Sequence, residues 1–177
     1  MKSTMQLSLL LLTLVSFNLA AQQTCNTNML ETAPASRFIL NVDNQGAHDG
    51  TVSDRQTGLM WAQCAQGLSG SQCNVGQLST FDWSLALNQT QATSDTGDRT
   101  DWRLPNVKEL QSLVERSCFS PAINETVFPN TPTLTFWSAS PDAFSADDAW
   151  GVSFFNGIVS SINRDNEQSV RLVRGGQ

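Results

Sequence analysis

The sequence is short of the residues on which common acid–base, metal and nucleic-acid chemistry depends. It has one histidine and no tyrosine, and 16 aspartate and glutamate residues outnumber its 10 lysine and arginine residues. A formal net charge of −6 leaves no broad basic surface to neutralise phosphates, which argues against a nucleic-acid partner. The 177 residues, 40% of them hydrophobic, can bury one ordinary core and therefore predict one domain.

Long apolar runs are missing too, and the one short run near the start predicts a targeting signal. Lys2 precedes an apolar stretch at 7–15, and Ala20 and Ala21 supply the small residues of a cleavage site. The stretch is shorter than the roughly 18 to 20 apolar residues of a membrane span. Residues 1–21 are therefore predicted to be a signal peptide, cleaved after Ala20 or Ala21. We expect an exported protein, periplasmic or extracellular, with no membrane span in the mature chain.

The four cysteines predict two disulfide bonds, because an even number in an oxidising compartment usually pairs. Zinc is the competing interpretation, but structural zinc sites gather ligands in close pairs such as C-x-x-C, and Cys64 and Cys73 are further apart than that. The loop between Cys64 and Cys73 is short and rich in glycine and serine, so that bridge closes easily. The remaining pair is then Cys25 with Cys118.

Hydrophobic patterning predicts an α+β domain over residues 37–177, preceded by an extended leader at 22–36. A first helix is predicted to begin at Ser79 or Thr80, where a capping box can form. The second is better specified, because Pro105 marks its entrance, Asn106 can cap it and Glu109 follows three residues later. The predicted strands lie at 37–40, 51–53, 59–62, 134–138, 149–155, 158–163 and 170–173. A two-residue hairpin turn is predicted at 156–157.

Four segments, in this order along the chain, resemble one known family. They are DRQTGLMW at 54–61, DWRLPN with KEL at 101–110, FWSASP at 136–141 and VRLVR at 170–174. Together they resemble the Lcl C-terminal domain family, named for the C-terminal domain of the Legionella collagen-like adhesin. The resemblance covers roughly residues 37–174, which is nearly all of the predicted mature chain.

The resemblance implies a fold similar in organisation to C-type lectins and an adhesion-type role. The founding adhesin binds sulfated polysaccharides through this domain and acts as a trimer. This chain has no collagen-like Gly-x-y repeat, and without Lys2 it carries 9 basic against 16 acidic residues, so trimeric avidity and a sulfated ligand do not transfer directly. We expect a binding domain for glycans or another cell-surface component, without catalysis. The alternatives are a carboxylate-dependent polysaccharide hydrolase and an envelope protein–protein interaction module.

Several signature residues of these segments have a structural interpretation. Trp61, Trp102 and Trp137 could stack on sugars, but their places beside predicted strands and helices favour core packing. Arg103 is expected to pair with a carboxylate such as Glu109 and so to fix its loop.

Two acidic loops are the candidate ligand-binding surface, because loops carry recognition on a rigid platform. Asp95, Asp98 and Asp101 offer oxygen ligands that suit Ca²⁺, although the spacing fits no EF-hand and a solvated acidic turn is the default interpretation. Asp147 and Asp148 of the second loop, which begins at 142, and Trp150 just after it are the other candidate ligand-binding residues. Apart from this calcium hypothesis, no cofactor is expected.

Overall fold

A computed structural model describes residues 23–93 and 99–175 of the chain. The predicted signal peptide, together with Asp95 and Asp98, lies outside the described residues. Most of the regular structure is β, with two helices, α1 (Trp83–Leu87) and α2 (Val107–Gln111), and a 3₁₀ turn at Ala35–Arg37. The strands are β1 (Thr24–Cys25), β2 (Phe38–Val42), β3 (His48–Asp54), β4 (Leu59–Ala62), β5 (Leu68–Ser69), β6 (Val75–Gly76), β7 (Thr80–Phe81), β8 (Cys118–Phe119), β9 (Thr135–Pro141), β10 (Asp148–Ser153), β11 (Val159–Asn163), β12 (Gln168–Ser169) and β13 (Val173–Gly175).

Two sheets carry most of these strands. One has the order β11-β10-β9-β12-β7 and the other the order β13-β4-β3-β2; two short ribbons, β1-β8 and β5-β6, complete the set among the described residues. All pairings are antiparallel except that of β12 with β9. Strands and helices are mixed with long irregular connections, so the predicted α+β class is confirmed.

The prediction for the first helix is wrong at its start. Thr80 and Phe81 form strand β7 and pair with Ser169 and Gln168 of β12. Asp82 is the N-cap instead, and its Oδ1 accepts a hydrogen bond of 2.8 Å from the Leu85 amide. A β-branched and an aromatic residue favour strand, and pairing with a distant part of the chain overrides the local capping pattern.

The second helix begins as predicted. Asn106 accepts a hydrogen bond from the Glu109 amide, and the Glu109 side chain accepts one from the Asn106 amide, which is a complete capping box. Leu110 and Leu113 are fully buried. The helix ends at Gln111, so Leu113 enters the core from the turn that follows it.

The C-terminal strands differ from the prediction in two places, and each place contains a buried side chain. The predicted two-residue turn is instead the longer connection 154–158, which contains the fully buried Phe154 and is closed by a hydrogen bond of 2.7 Å from the Gly157 amide to the Ser153 carbonyl. The predicted strand at 170–173 is divided, because Arg171 and Leu172 pass between β12 and β13 and carry the chain from one sheet to the other.

Arg171 is the largest charged group in the interior. It is fully buried, and burial lowers the pKa of its guanidinium to about 9, so it stays protonated at neutral pH. Nη1 donates to the carbonyls of Ala62 and Gln63, Nη2 donates to Thr131 Oγ1 at 2.8 Å, and the guanidinium lies 4.9 Å from the Phe128 ring centroid. The cation is thus held by carbonyl dipoles and aromatic rings at the point where the two sheets meet.

Both predicted disulfides are present, so the zinc interpretation is wrong. Cys25 pairs with Cys118 across 93 residues of sequence, and Cys64 pairs with Cys73 across 9. The long bridge ties β1 to β8 and thereby fastens the N-terminal segment to the body. Among residues 23–93 and 99–175, no helix is long and apolar enough to cross a membrane.

Candidate functional site

The three signature tryptophans lie in the core. Trp61 and Trp137 are fully buried and Trp102 is 2% exposed. Trp61 belongs to one hydrophobic cluster, while Trp102 and Trp137 belong to a second one. Trp137 Nε1 also donates a hydrogen bond of 2.9 Å to the Phe81 carbonyl. These rings hold the two sheets and are closed to a ligand, as the core-packing interpretation predicts.

Arg103 and Glu109 form the ion pair expected from the sequence. Arg103 Nη1 and Nη2 each donate a hydrogen bond of 2.8 Å to one carboxylate oxygen of Glu109. This hydrogen bonding lowers the pKa of Glu109 below its ordinary value. The Arg103 backbone exchanges two 2.9 Å hydrogen bonds with Val173, so the pair joins the start of α2 to β13. Pro105, also a signature residue, is buried at the entrance of the helix.

The first acidic loop is only partly within the described residues. Asp101 is exposed and forms an ion pair of 2.8 Å with Arg174 Nη2. In the described ranges, no group of three or more His, Cys, Asp or Glu side chains is arranged to hold a metal ion. With Asp95 and Asp98 outside those ranges, the calcium hypothesis for this loop stays a prediction.

The second acidic loop, which connects β9 to β10, is held in a defined shape by its own hydrogen bonds. Asp142 Oδ2 accepts a hydrogen bond of 2.6 Å from Ser161 Oγ on β11, and Asp142 Oδ1 accepts one of 2.9 Å from the Phe144 amide. The hydrogen bonds to Asp142 lower the pKa of its carboxyl. Asp148 is the first residue of β10, and its amide donates to the Ser145 carbonyl. The loop is therefore closed at its base and at its tip.

Phe144 stands at the tip of this loop with 99% of its surface exposed. The hydrogen bonds of the loop fix the backbone at Phe144, so only its side chain must be ordered when it meets a ligand. Sequence reasoning missed this residue, although one signal was available. Phe144 lies between small and acidic residues, with no apolar periodicity that could bury it.

A polar cleft of about 410 Å³ adjoins the loop. Its lining residues are Ala146, Asp147, Asn163, Arg164 and Asp165. The cleft forms because the β9–β10 loop and the turn after β11 are tied together: the Arg164 amide donates to the Asp147 carbonyl at 2.8 Å, and Arg164 Nε donates to the Asp148 carbonyl at 3.0 Å. We call Phe144 together with the five cleft residues the loop site.

Trp83 contacts the loop site directly, and the Trp150 backbone is joined to it through Ser138. The Arg164 guanidinium lies 4.3 Å from the Trp83 ring centroid, a cation–π contact that fixes its position. Trp83 Nε1 donates to the Ser138 carbonyl at 2.8 Å, and Ser138 Oγ donates to the Trp150 carbonyl at 2.6 Å. Trp150 is half-buried on β10, opposite Ser161. Its role as a ligand-binding residue stays a prediction, and the most exposed large apolar side chain of the preceding loop is Phe144.

A second cleft, of about 310 Å³, lies along the seam between the N-terminal segment and the body. Glu31, Glu115 and Glu125 are among its lining residues. Glu115 is a structural group: its carboxylate accepts hydrogen bonds from the amides of Thr32 and Ala33 and from Ser117. Burial raises the pKa of Glu125.

The fold and the sites together define a disulfide-stapled α+β domain that presents polar loops on a rigid two-sheet base. The sequence model of the Lcl C-terminal domain matches residues 50–174, well over half of the chain. The chain therefore belongs to the Lcl C-terminal domain family. No curated protein is significantly similar to it in sequence.

Proposed function

We propose that this protein is an exported, adhesion-type binding domain that recognises glycans at the loop site. Membership of the Lcl C-terminal domain family supports the adhesion-type role. The observation that carries the ligand class is the 99% exposure of Phe144 on the loop that also supplies Ala146 and Asp147 to a cleft of about 410 Å³, lined by carboxylate, amide and guanidinium groups. The two disulfides favour an oxidising compartment and so support export to the periplasm or beyond the cell.

The chemistry of the loop site matches a sugar in two respects. A pyranose ring has an apolar face that packs on an aromatic ring, and a rim of hydroxyl groups that hydrogen-bond to polar side chains. Phe144 offers the ring, while Asp147, Asn163 and Arg164 offer acceptors and donors in the cleft. Both kinds of group sit on segments held by hydrogen bonds, so the backbone of the site is preformed.

The charge of the cleft sets the class of glycan. Asp147 and Asp165 place two carboxylates there against the single guanidinium of Arg164. Sulfated or strongly acidic sugars would meet net repulsion, and the whole chain is also acidic. We infer a preference for neutral or amino sugars, which separates this chain from the sulfated ligand of the founding adhesin.

We further propose a C-type-lectin-like organisation for the fold. The support is the combination of two short helices, antiparallel strands and long irregular loops held by two disulfides. In this organisation the calcium hypothesis applies to the loop that ends at Asp101. The same binding experiment tests that hypothesis.

The experiment is a glycan array probed with the oxidised mature chain, clustered for avidity, in calcium and in chelator. We expect binding to neutral or amino sugars, and we expect Phe144→Ala to remove it. Phe155→Ala is the matched control, because Phe155 is also an exposed phenylalanine, 48% exposed, but lies in the connection after β10. Chelator-sensitive binding would support a calcium site near Asp101. Absence of binding in both conditions, or equal loss in both variants, would contradict the proposed function.

Each of two alternative functions is supported by one observation. A hydrolase is supported by the second cleft, of about 310 Å³, where Glu125 with its raised pKa would act as a general acid. Its test is polysaccharide hydrolysis by the wild-type chain and its loss in Glu125→Gln. The protein-interaction alternative rests on the half-exposed Phe119 and Phe155, which lie on two segments joined by the 2.8 Å hydrogen bond from the Ser120 amide to the Phe155 carbonyl. Its test is capture of a defined envelope partner by the wild type and not by Phe155→Ala.

A further inference from the structure

A cleft of about 420 Å³ lies between the connection from β4 to β5 and the segment that follows helix α1. We call it the amide cleft, because most of its polar side chains are amides. None of the described residues that line it is charged. Its amide and hydroxyl side chains are Gln66, Asn88, Gln89, Thr90, Gln91 and Thr93.

The two walls of the amide cleft are joined by hydrogen bonds. Gln66 Nε2 donates to the Gln91 carbonyl at 2.9 Å, and Gln66 Oε1 accepts a hydrogen bond of 3.2 Å from the Thr93 amide. The Gly67 amide donates to Thr93 Oγ1 at 3.1 Å. The Gln66 backbone is itself fixed, because its amide donates to the Val170 carbonyl at 2.8 Å. The backbone of the cleft is therefore preformed, which lowers the cost of binding a ligand there.

The first two amides after helix α1 are held with their oxygen atoms available as acceptors. Asn88 Nδ2 donates to the Ser84 carbonyl at 2.8 Å, and Gln89 Nε2 donates to the Leu85 carbonyl at 3.2 Å. Because a carbonyl only accepts, these contacts identify the nitrogen of each amide and leave Asn88 Oδ1 and Gln89 Oε1 to accept from a ligand. Gln89 Oε1 already accepts one long hydrogen bond, of 3.4 Å, from Gln66 and keeps a second lone pair.

Two further groups of the cleft both donate and accept. The Gln91 side-chain amide and the Thr90 hydroxyl have no hydrogen-bond partner among residues 23–93 and 99–175. Both residues are exposed. An amide offers two donor hydrogens and an acceptor oxygen, and a hydroxyl offers one donor and two lone pairs. The cleft thus combines two oriented acceptors with two groups that adapt to either kind of partner.

This set of groups favours an uncharged ligand rich in hydroxyl groups. An ion that entered the cleft would lose hydration and find no counter-charge among the described lining residues, and an anion would also face the Asn88 and Gln89 oxygens. A hydroxyl both donates and accepts, so neighbouring hydroxyls of a sugar can bond to an amide oxygen and an amide nitrogen together. An extended peptide fits less well, because it binds to a strand edge, and residues 88–93 form no strand.

We propose that the amide cleft is a second saccharide subsite, which binds a neutral sugar unit. The proposal is independent of the loop site, since it rests on a different set of residues. No aromatic ring is among the described lining residues of the cleft, so its affinity is in the millimolar range and lower than that of the loop site. Helix α1 connects the two sites: Trp83, its first residue, contacts Arg164 of the loop site, and Asn88 is its C-cap. A glycan long enough to fill both sites is held more tightly than either site alone allows.

The test is a sugar titration of the isotopically labelled, oxidised mature chain, followed by ¹⁵N spectra, in which the side-chain amides give signals of their own. The probes are glucose, galactose, mannose and N-acetylglucosamine at up to roughly 50 mM, which detects millimolar affinity. At least one of them should shift the side-chain signals of Gln66, Asn88, Gln89 and Gln91 in a saturable way.

Two variants remove unpartnered groups and leave the hydrogen bonds between the walls in place. Gln91→Ala and Thr90→Val should each raise the Kd of the sugar about three- to tenfold. Gln45→Ala is the matched control, because Gln45 is an exposed glutamine in the connection between β2 and β3. It should leave the Kd unchanged, as should Phe144→Ala. Glucose 6-sulfate, and glucosamine at about pH 6 where its amine is protonated, should bind the amide cleft more weakly than the neutral sugars.

The outcomes for the amide cleft and for the loop site are separable. No shift of the four side-chain amides with any neutral sugar would overturn the proposal, and shifts at Phe144 in the same titration would show that the loop site still binds. Shifts at the amide cleft that neither Gln91→Ala nor Thr90→Val weakens would also overturn it. So would tighter binding of a charged sugar or of a blocked glycine tripeptide. Weakened shifts in both variants, with Phe144 unmoved, would support the subsite and contradict the loop site.

Discussion

Arg103 and Glu109 are joined by two hydrogen bonds of 2.8 Å, and the same carboxylate accepts the Asn106 amide that begins helix α2. One acidic side chain therefore fixes a loop and caps a helix. Replacing Glu109 by Ala removes both, and we expect the free energy of unfolding to fall by about 1 to 2 kcal/mol. Chemical denaturation of the variant and of Lys108→Ala, on the exposed side of the same helix, measures the difference.

The pH dependence of this effect has a definite sign. Hydrogen bonding from Arg103 lowers the pKa of Glu109 below the ordinary value of 4.5 that the unfolded chain retains. The stabilisation is therefore complete above the unfolded pKa and is lost as the pH falls through the folded pKa. The stability gap between wild type and Glu109→Gln should be constant at neutral pH and should narrow below about pH 4.5. A gap that widens in acid would contradict the ion pair.

The two disulfides should differ in their contribution to stability. A bridge that spans 93 residues removes more conformational freedom from the unfolded chain than one that spans 9. On the chain-entropy argument, loss of Cys25–Cys118 costs about 4 to 5 kcal/mol and loss of Cys64–Cys73 about 3 kcal/mol. Thermal or urea unfolding of the two double serine variants tests this order. Equal losses would contradict the chain-entropy argument.

Arg171 should be intolerant of truncation. Its guanidinium is the partner of the Ala62 and Gln63 carbonyls and of Thr131 Oγ1 in the interior. Arg171→Ala leaves these groups unsatisfied beside a cavity, and we expect a loss of at least about 3 kcal/mol. Arg55→Ala, at an exposed position on the surface, should change stability by less than about 0.5 kcal/mol. Urea midpoints of the two variants provide the comparison.

Gly67 is required by a close approach of two backbone segments. Its φ is +90°, and a Cβ there would lie 2.7 Å from the Ser79 amide nitrogen and closer still to the Gln77 carbonyl. Gly46 also has a positive φ, +81°, but a Cβ there would meet nothing within 4 Å. We expect Gly67→Ala to cost at least about 2 kcal/mol and Gly46→Ala about 1 kcal/mol. Similar melting temperatures for the two variants would contradict the close approach.

The predictable parts of the fold were those whose signals are local. The capping box of Asn106 and Glu109 specifies a helix start by itself, and the short loop between Cys64 and Cys73 specifies a disulfide. Thr80 and Phe81 were misassigned because their partner strand lies nearly 90 residues away in sequence. The division of the last predicted strand at Arg171 depends on how the two sheets meet, which no local pattern records.

The sequence predicted the position of the second acidic loop but not the groups that line the cleft beside it. Three acidic residues between 142 and 148 marked the loop, and the carboxylate of one of them, Asp142, shapes it through hydrogen bonds. Arg164 joins the site from a turn that follows β11, and its position depends on Trp83 from helix α1. Such convergence of three separate segments follows only from the tertiary structure.

The most direct test of the account is a titration, followed by ¹⁵N chemical shifts, of the isotopically labelled mature chain with a neutral or amino sugar that binds on the array. The account predicts shifts concentrated at Phe144, Asp147, Asn163 and Arg164, and their disappearance in Phe144→Ala but not in Phe155→Ala. Shifts centred on any other surface, with the signals of Phe144 and Arg164 unmoved, would contradict it.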